Sequence, residues 1–290
     1  MLDVVSTRSP TPGGNTRVTG KEQFYTPPQV AESVVARVLG LVPTALDRTW
    51  LDPAGGTGAF VEAARAAGVV DVVSLDIEPL HPLVATGDFL TTDLLLEGAV
   101  TVSNPPFGRN NSLSVPFFNV SARYSDIIAF IVPRSWRKWS VTNRLDPRFH
   151  LLADHDLVVD YVDACGEEVH GTRLLRTCLQ VWERRPEPRS RVTVEDRGLV
   201  RRSTPEQADV ALTIFGFGCG TVRTDFPRRK VTTQMYLTLE DPRSLEALQS
   251  VDYSRFSQQV AYTEALSLHE INYLLNEHVF GDPGLVELDR

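Results

Sequence analysis

Leu51-Asp52-Pro53-Ala54-Gly55-Gly56-Thr57-Gly58-Ala59-Phe60 is the stretch that decides the fold. An apolar strand end runs into a glycine loop, and helical spacing resumes over 58–67. Glycines at a strand-to-helix turn let the backbone approach a ligand without a Cβ in the way. The spacing is not G-x-G-x-x-G, and an acid ahead of the loop is ill suited to gripping a pyrophosphate, so a dinucleotide is disfavoured. A carboxylate at Asp52 suits instead the cationic amino group of a methionine moiety.

Outward from this loop the pattern alternates. Upstream, Pro28 fits a first helical turn and Val30, Val34, Val35, Val38 and Leu39 recur at helical spacing, so 28–41 is expected to be a helix. Downstream, 69–76 and 99–103 read as short buried strands and 126–132 as a strand buried on both faces. Such strands, separated by helices or loops, imply an α/β fold with a mostly parallel sheet and helices on both faces. Two further strands, 157–162 and 177–182 with a turn around Gly166 and Gly171, are expected to form an antiparallel hairpin at the sheet edge. Residues 184–191, with Pro186 and Pro188, read as a linker. The remainder mixes strand-like pieces (191–194, 210–217, 230–238) with a helical stretch at 265–278. The expected organisation is an N-terminal arm over 1–20, rich in Ser, Thr, Pro and Gly, a main domain over 21–185 and a small C-terminal region over 186–290, a candidate for substrate recognition.

Carboxylates follow successive strands. Asp76, with Ile77 beside it, ends the strand after the glycine loop, where an acid can accept hydrogen bonds from ribose hydroxyls. Asp88-Phe89 then offers an acceptor for an adenine amino group beside an aromatic face. After the next strand comes Ser103-Asn104-Pro105-Pro106-Phe107. An aromatic amine is a poor nucleophile because its lone pair is delocalised into the ring, so a catalyst must favour a pyramidal nitrogen. The Asn104 side-chain oxygen and the Pro105 carbonyl are acceptors that can take the amine's two hydrogens and direct its lone pair at an electrophile. Pro105 and Pro106 stiffen this backbone and remove two N–H donors. Phe107 is placed to stack on the base, worth about 1–3 kcal/mol in nucleic-acid binders.

These residues resemble the Rossmann-like SAM-dependent methyltransferases, and among them the amino-methyltransferases of adenine or cytosine in DNA. The segment from Asp52 to Phe60 is similar to that family's D-P-x-x-G-x-G-x-F loop, which implies that Asp52, Pro53, Gly56, Gly58 and Phe60 surround the methionine part of S-adenosyl-L-methionine (SAM). Phe24-Tyr25-Thr26-Pro27-Pro28 looks like the family's Y-T-P segment, so Tyr25, Thr26 and Pro27 are expected to close the cofactor pocket. Asn104 to Phe107 is similar to the catalytic [DNS]-P-P-[YFW] motif, with Phe in place of the commoner Tyr. The order, Y-T-P element, cofactor loop, catalytic motif, looks like the gamma arrangement. The resemblance covers about 23–182 and implies a class I methyltransferase sheet, SAM as cofactor, and transfer to the N6 amine of adenine, with DNA foremost among nucleic-acid partners and a restriction-modification setting. A base inside a duplex would have to be flipped out.

Candidate substrate contacts follow the central strand. Arg134, Trp136, Arg137 and Lys138 interleave basic and aromatic side chains, as phosphate contacts and stacking require, and Arg109 stands two residues after Phe107. The same pattern fits a helix whose Trp residues pack into the core. Arg144 and Arg148, and the clusters Arg197-Arg201-Arg202 and Arg228-Arg229-Lys230, are further basic groups.

Bulk properties narrow the classes. At 290 residues with 42% hydrophobic and 23% charged side chains, the chain can bury a sizeable core. A net charge of -8 argues against indiscriminate nucleic-acid binding but allows a local basic face. No apolar run approaches the roughly 20 residues that span a bilayer, and no basic, then apolar, leader is present, so a cytoplasmic protein without membrane partners is expected. Cys165, Cys178 and Cys219 show no C-x-x-C spacing, and Cys165, His170 and Cys178 fit no familiar zinc pattern, so no metal is expected. Other enzymes with N-P-P-[YF] loops methylate RNA bases or a protein glutamine amide, and a non-catalytic SAM-binding or nucleic-acid-binding module is the alternative outside enzymes. The pattern is silent on oligomeric state.

Overall fold

The computed structural model describes residues 24–163, 165–169 and 175–288. The N-terminal arm expected over 1–20, together with His170 and Gly171, lies outside them.

Helix α1 (Pro28–Leu41) starts on Pro28, whose fixed φ suits the first turn, and buries Ala31, Val34, Val35 and Val38 along one stripe. Strand β1 (Trp50–Asp52) leads through the glycine loop into α2 (Ala59–Ala66), then β2 (Val72–Asp76), the short β3 (Ala85–Thr86) and β4 (Ala99–Ser103). After α3 (Ser114–Ser121) comes β5 (Ser125–Pro133), a 3-10 turn over Arg134–Arg137, α4 (Trp139–Thr142), β6 (Phe149–Leu157) and β7 (Thr177–Arg184).

These strands form one seven-stranded sheet in the order β3-β2-β1-β4-β5-β7-β6. Pairs from β3 to β5 are parallel, whereas β7 runs antiparallel to both β5 and β6. The sheet is the Rossmann-like, mostly parallel type with an antiparallel edge that the sequence led us to expect. Its two cores follow from strand alternation: Ile127, Ala129 and Ile131 of β5 pack under α1 and α2, and Ile128, Phe130 and Val132 face Phe118 of α3. Chain order reverses between β1 and β4, so the loops leaving their carboxyl ends diverge and open a crevice. Asp52 and Ser103 end those two strands.

One edge strand differs from expectation. β6 runs over Phe149–Leu157, so of the expected 157–162 strand Leu157 ends β6 opposite Thr177 and Val162 pairs in isolated bridges to Tyr25 and Glu168. Lying at the edge, β6 needs little apolar surface, so His150, Asp154, His155 and Asp156 are tolerated in it and hide its strand pattern. Leu157-Val158-Val159 looked more strand-like, yet Val158 is exposed.

Beyond β7 the chain builds a second, antiparallel sheet in the order β11-β10-β12-β9, from β9 (Val200–Arg202), β10 (Val210–Thr213), β11 (Val222–Arg223) and β12 (Gln234–Leu239). Strand β8 (Arg191–Val194) pairs separately with β13 (Leu285–Leu288). The helices α5 (Ser244–Ser250), α6 (Ser254–Ser257) and α7 (Leu268–Phe280) follow β12. Leu212, Leu237, Leu248, Ile271 and Leu275 share a core that contains none of the first sheet's residues. α7 begins at a capping box, Ser267 accepting from the Glu270 amide and Glu270 from the Ser267 amide. Among the described residues no helix is long and apolar enough to cross a membrane.

Candidate active site

The glycine loop is held from below. Ser103 Oγ donates to Asp52 Oδ1 at 2.7 Å, tying the end of β4 to the end of β1, and the Ala54 amide reaches the same oxygen at 3.3 Å. Asp52 Oδ2 is buried and has no hydrogen-bond partner among the described residues. Burial pushes the Asp52 carboxyl up to about 7, opposed by the bonds from Ser103 and Ala54 and reinforced by Asp76.

Gly56 and Gly58 have positive φ, 45° and 81°, which an L side chain rarely adopts. Their missing Cβ atoms face this chain's own rings rather than open space. A Cβ on Gly56 would lie 2.8 Å from two ring carbons of Tyr25, and one on Gly58 would lie 2.4 Å from the His81 ring. Gly56 therefore admits Tyr25 as a cover over the loop and Gly58 admits the His81 ring, a close packing that spacing alone does not reveal. Gly56→Ala is expected to displace Tyr25 and strain the turn, lowering stability by about 1–3 kcal/mol. Thermal unfolding of the unliganded protein, with SAM titration alongside, checks this.

Asp76 closes the loop from the side: its Oδ2 accepts from the Gly56 amide at 2.9 Å and its Oδ1 from the Glu78 amide at 2.8 Å. Desolvation raises the Tyr25 phenol above its ordinary range, with Asp76 and Glu78 adding to the effect, so Tyr25 stays a neutral hydroxyl.

The loop leaving β4 faces this arrangement. Asn104 donates from Nδ2 to the Phe24 carbonyl at 3.2 Å, and its Oδ1 is buried without a partner among the described residues. Phe24 is held in turn: Tyr25 and Val162 exchange backbone hydrogen bonds of 3.0 and 3.2 Å, and the Phe24 and Tyr161 rings lie 5.7 Å apart. The segment that carries Tyr25 across the glycine loop thus also fixes which way the Asn104 amide points. Nothing in the sequence marks Phe24, because its contribution is a backbone carbonyl. The Phe107 carbonyl accepts from the Leu113 and Ser114 amides, each at 3.3 Å, which returns the chain into α3.

A cavity of about 420 Å³ joins these parts, within the range of small-molecule sites. Asn104, Pro105, Pro106 and Phe107 line it, as do Pro53, Gly56, Tyr25, Asp76, Ile77, Asp88 and Phe89. Phe89 is buried, its ring packed 5.5 Å from the Phe117 ring and 6.4 Å from Tyr124. Asp88 is exposed and takes the Leu90 amide on Oδ1 at 3.0 Å. The remaining expected cofactor residues stand behind the wall. Asp52 lies beneath the loop, Thr26 is buried, Pro27 precedes α1, Gly58 caps α2 and Phe60 packs into the core between α2 and the sheet. Thr26 and Phe60 border a much smaller neighbouring hollow that also touches Tyr25, Gly56 and Asn104.

The basic segment after β5 is a correction to the sequence reading. Trp136 is fully buried, donating to Ser114 Oγ at 3.2 Å and packing on Phe118 and Phe130, so it offers no face to a base. Arg137 grips the Asp154 carboxylate and reaches Asp156 at 2.7 Å, and Arg134 also bonds Asp156 at 2.7 Å. Lys138 is nearly buried on Glu270 of α7 at 2.9 Å. Trp139 stacks on Tyr273 at 5.9 Å, with Phe256 alongside. Lys138 and Trp139 therefore join the two sheets, and the partners that spend these cations lie too far away in sequence for local pattern to show them. Arg109, by contrast, is exposed beside Phe107. Arg144 donates to the Asn110 and Asn111 carbonyls, bracing a turn in which both residues have positive φ.

Cys165 is exposed and Cys178 buried, and no metal-binding cluster is present among the described residues.

No family model matches the sequence, and no curated protein matches it. Solved structures resemble it in arrangement. A Pyrococcus horikoshii protein assigned as an RNA methyltransferase aligns with 59% of this chain and 90% of its own at 18% identity, TM-score 0.44. A Listeria monocytogenes protein assigned as a class I SAM-dependent methyltransferase aligns with 59% of this chain and 63% of its own at 16% identity, TM-score 0.42. A protein from Vibrio vulnificus, assigned as a modification subunit of a type I restriction enzyme, aligns with 87% of this chain and 60% of its own at 14% identity, TM-score 0.42. Likenesses this distant do not carry function, so the reading below rests on the site.

Proposed function

We propose that this chain is a SAM-dependent N-methyltransferase acting on the exocyclic amine of adenine in DNA. The observation that carries the reading is Asn104 Oδ1, a buried acceptor with no partner among the described residues, in a cavity that Asp76 and the glycine loop also border. An orphaned buried acceptor is unfavourable by about 1–3 kcal/mol unless a ligand completes it. An amine hydrogen is such a ligand, and a neutral amide oxygen suits it.

The residues present fit the cofactor. Asp76 and Asp88 line one side of the cavity with carboxylates for ribose hydroxyls and an adenine amine. Asp52 Oδ2, buried and unpaired beneath the loop, supplies the negative charge that a cationic methionine moiety requires. Tyr25 covers Gly56. SAM supplies an electrophilic methyl group on a sulfonium. The chain's own task is positioning: Asn104 Oδ1 and the Pro105 carbonyl hold the amine hydrogens, which turns the nitrogen lone pair toward the methyl, and Phe107 supports the ring. With SAM bound, the N–C bond would form as the S–CH3 bond broke, the neutral thioether S-adenosylhomocysteine would leave, and the nitrogen would lose one proton to water, so no strong base is needed.

Adenine in DNA is preferred over an RNA base or a glutamine amide because the Tyr25-Thr26-Pro27 element accompanies Asn104 to Phe107. The division into a catalytic region over 21–185 and a recognition region over 186–290 belongs to the same proposal. Asp76→Ala is expected to weaken SAM binding about 10- to 100-fold, as loss of charge-assisted hydrogen bonds does. Isothermal titration measures it, and unchanged affinity would remove Asp76 from the cofactor site.

A further inference from the structure

The second sheet carries a feature that the catalytic reading does not use. Between β10 and β11 the chain runs Phe215-Gly216-Phe217-Gly218-Cys219-Gly220, and Phe217 is fully exposed at its tip. The tip is built rather than loose. Gly216, Gly218 and Gly220 all have positive φ, the Gly220 amide donates to the Thr213 carbonyl at 2.8 Å, and the Cys219 amide donates to Gly216 at 3.1 Å. Its base is laced to the segment before α7 by Gly216 to Glu264 and Leu266 to Ile214, both 2.9 Å. That segment meets the first sheet beyond the carboxyl end of β5, where Lys138 Nζ donates to the Ala265 carbonyl at 3.3 Å. β5 adjoins β4, whose carboxyl end carries Asn104, so hairpin and cavity belong to the same edge of the molecule.

Charge gathers at this hairpin. Residues 210–233 hold four cations (Arg223, Arg228, Arg229, Lys230) against one carboxylate (Asp225), a local balance of +3 in a chain of net charge -8. Arg228 stacks over Phe226 at 4.3 Å and donates to the Pro205 carbonyl. Arg223, Arg229 and Lys230 are exposed, and their side chains form no ion pair among the described residues. The crossover that holds Arg229 and Lys230 ends at Thr233, whose carbonyl accepts from the Ile214 amide at 2.8 Å, next to the aromatic tip.

A fully exposed Phe217, with the half-exposed Phe215 behind it, beside cations that form no ion pair among the described residues matches a strand of nucleic acid, which offers base faces and phosphates together. We infer that the β10–β11 hairpin and its crossover contact the substrate strand near the target base, Phe217 stacking on a base and Arg223, Arg229 and Lys230 meeting phosphates. The inference rests on the function proposed above and adds the surface that holds the polymer.

The test is fluorescence anisotropy of the full chain with a fluorescein-labelled DNA duplex rich in adenine contexts, and with an RNA hairpin of similar length, over a salt series. Phe217→Ala is expected to weaken binding roughly tenfold with an unchanged salt slope, and Phe217→Trp to restore it. The double variant Arg229→Ala, Lys230→Ala is expected to reduce the slope of log affinity against log salt by about 2. SAM affinity stays that of the wild type in each variant, which shows the fold intact. Variants that bind with wild-type affinity and slope would overturn the hairpin surface and leave the methyltransferase reading standing. Binding to RNA alone would support the surface and contradict DNA as substrate, whereas a wild-type chain that binds neither polymer would overturn both.

Discussion

Asn104→Ala is expected to lower methyl transfer by about a hundred- to a thousandfold while SAM affinity changes little. The magnitude is that of removing one preorganised polar group from a transition-state site. Asn104 sits at the carboxyl end of β4, next to Ser103, which is locked to Asp52, and its amide is aligned by the Phe24 carbonyl. Its Oδ1, which has no partner among the described residues, is left to meet a substrate. The effect should therefore fall on turnover, since the cofactor is held by other residues. Asn104→Asp separates the two halves of the amide: it keeps an acceptor but replaces the Nδ2 donor with an oxygen facing the Phe24 carbonyl. It is expected to retain part of the activity that Ala loses. Single-turnover transfer from labelled SAM reads both variants, and near wild-type turnover by Asn104→Ala would refute the catalytic assignment.

Asp52→Asn should move stability and cofactor binding in opposite directions. The Asp52 carboxyl rises from 3.8 to about 7 on folding, with burial as the main cause. The folded state thus holds a proton between about pH 4 and pH 7 that the unfolded state has released, so stability declines as pH rises through that window and stays lower above it. Asn keeps the acceptor used by Ser103 and Ala54 and carries no charge. Unliganded Asp52→Asn is therefore expected to unfold at higher temperature than wild type at pH 8, by a stability gain on the order of a few kcal/mol, and to match it near pH 4. With the anion gone, SAM binding should weaken by tenfold or more, because a cationic ligand no longer meets a buried countercharge. Saturating SAM should then stabilise wild type more than the variant at pH 8. Melting curves at both pH values, with and without SAM, resolve these effects.

What the sequence disclosed was what local chemistry dictates. The glycine loop after Leu51-Asp52, the buried apolar runs of β4 and β5 and the rigid Asn-Pro-Pro-Phe turn each follow from residues adjacent in the chain, and together they set the crevice between β1 and β4. Features that depend on distant partners were hidden. Trp136 looked like a stacking side chain, yet Phe118, Phe130 and Ser114 enclose it. Arg137 and Lys138 looked free, yet Asp154 and Glu270 neutralise them. β6 escaped notice because an edge strand needs no apolar face, and Phe24 because its role is a carbonyl. The start of α7 was readable, since Ser267 and Glu270 form a capping box three residues apart, but the apolar periodicity alone placed it too early.

The most direct test is where a labelled methyl group lands. Wild-type protein would be incubated with SAM bearing a deuterated methyl group and with unmethylated DNA, RNA and protein pools, each then digested and analysed by mass spectrometry. A lone acceptor at Asn104 converging with a glycine-loop cofactor site on one amine nitrogen predicts deuterated N6-methyladenine from DNA, lost in Asn104→Ala. Label on a ring carbon, or label confined to protein, would contradict it.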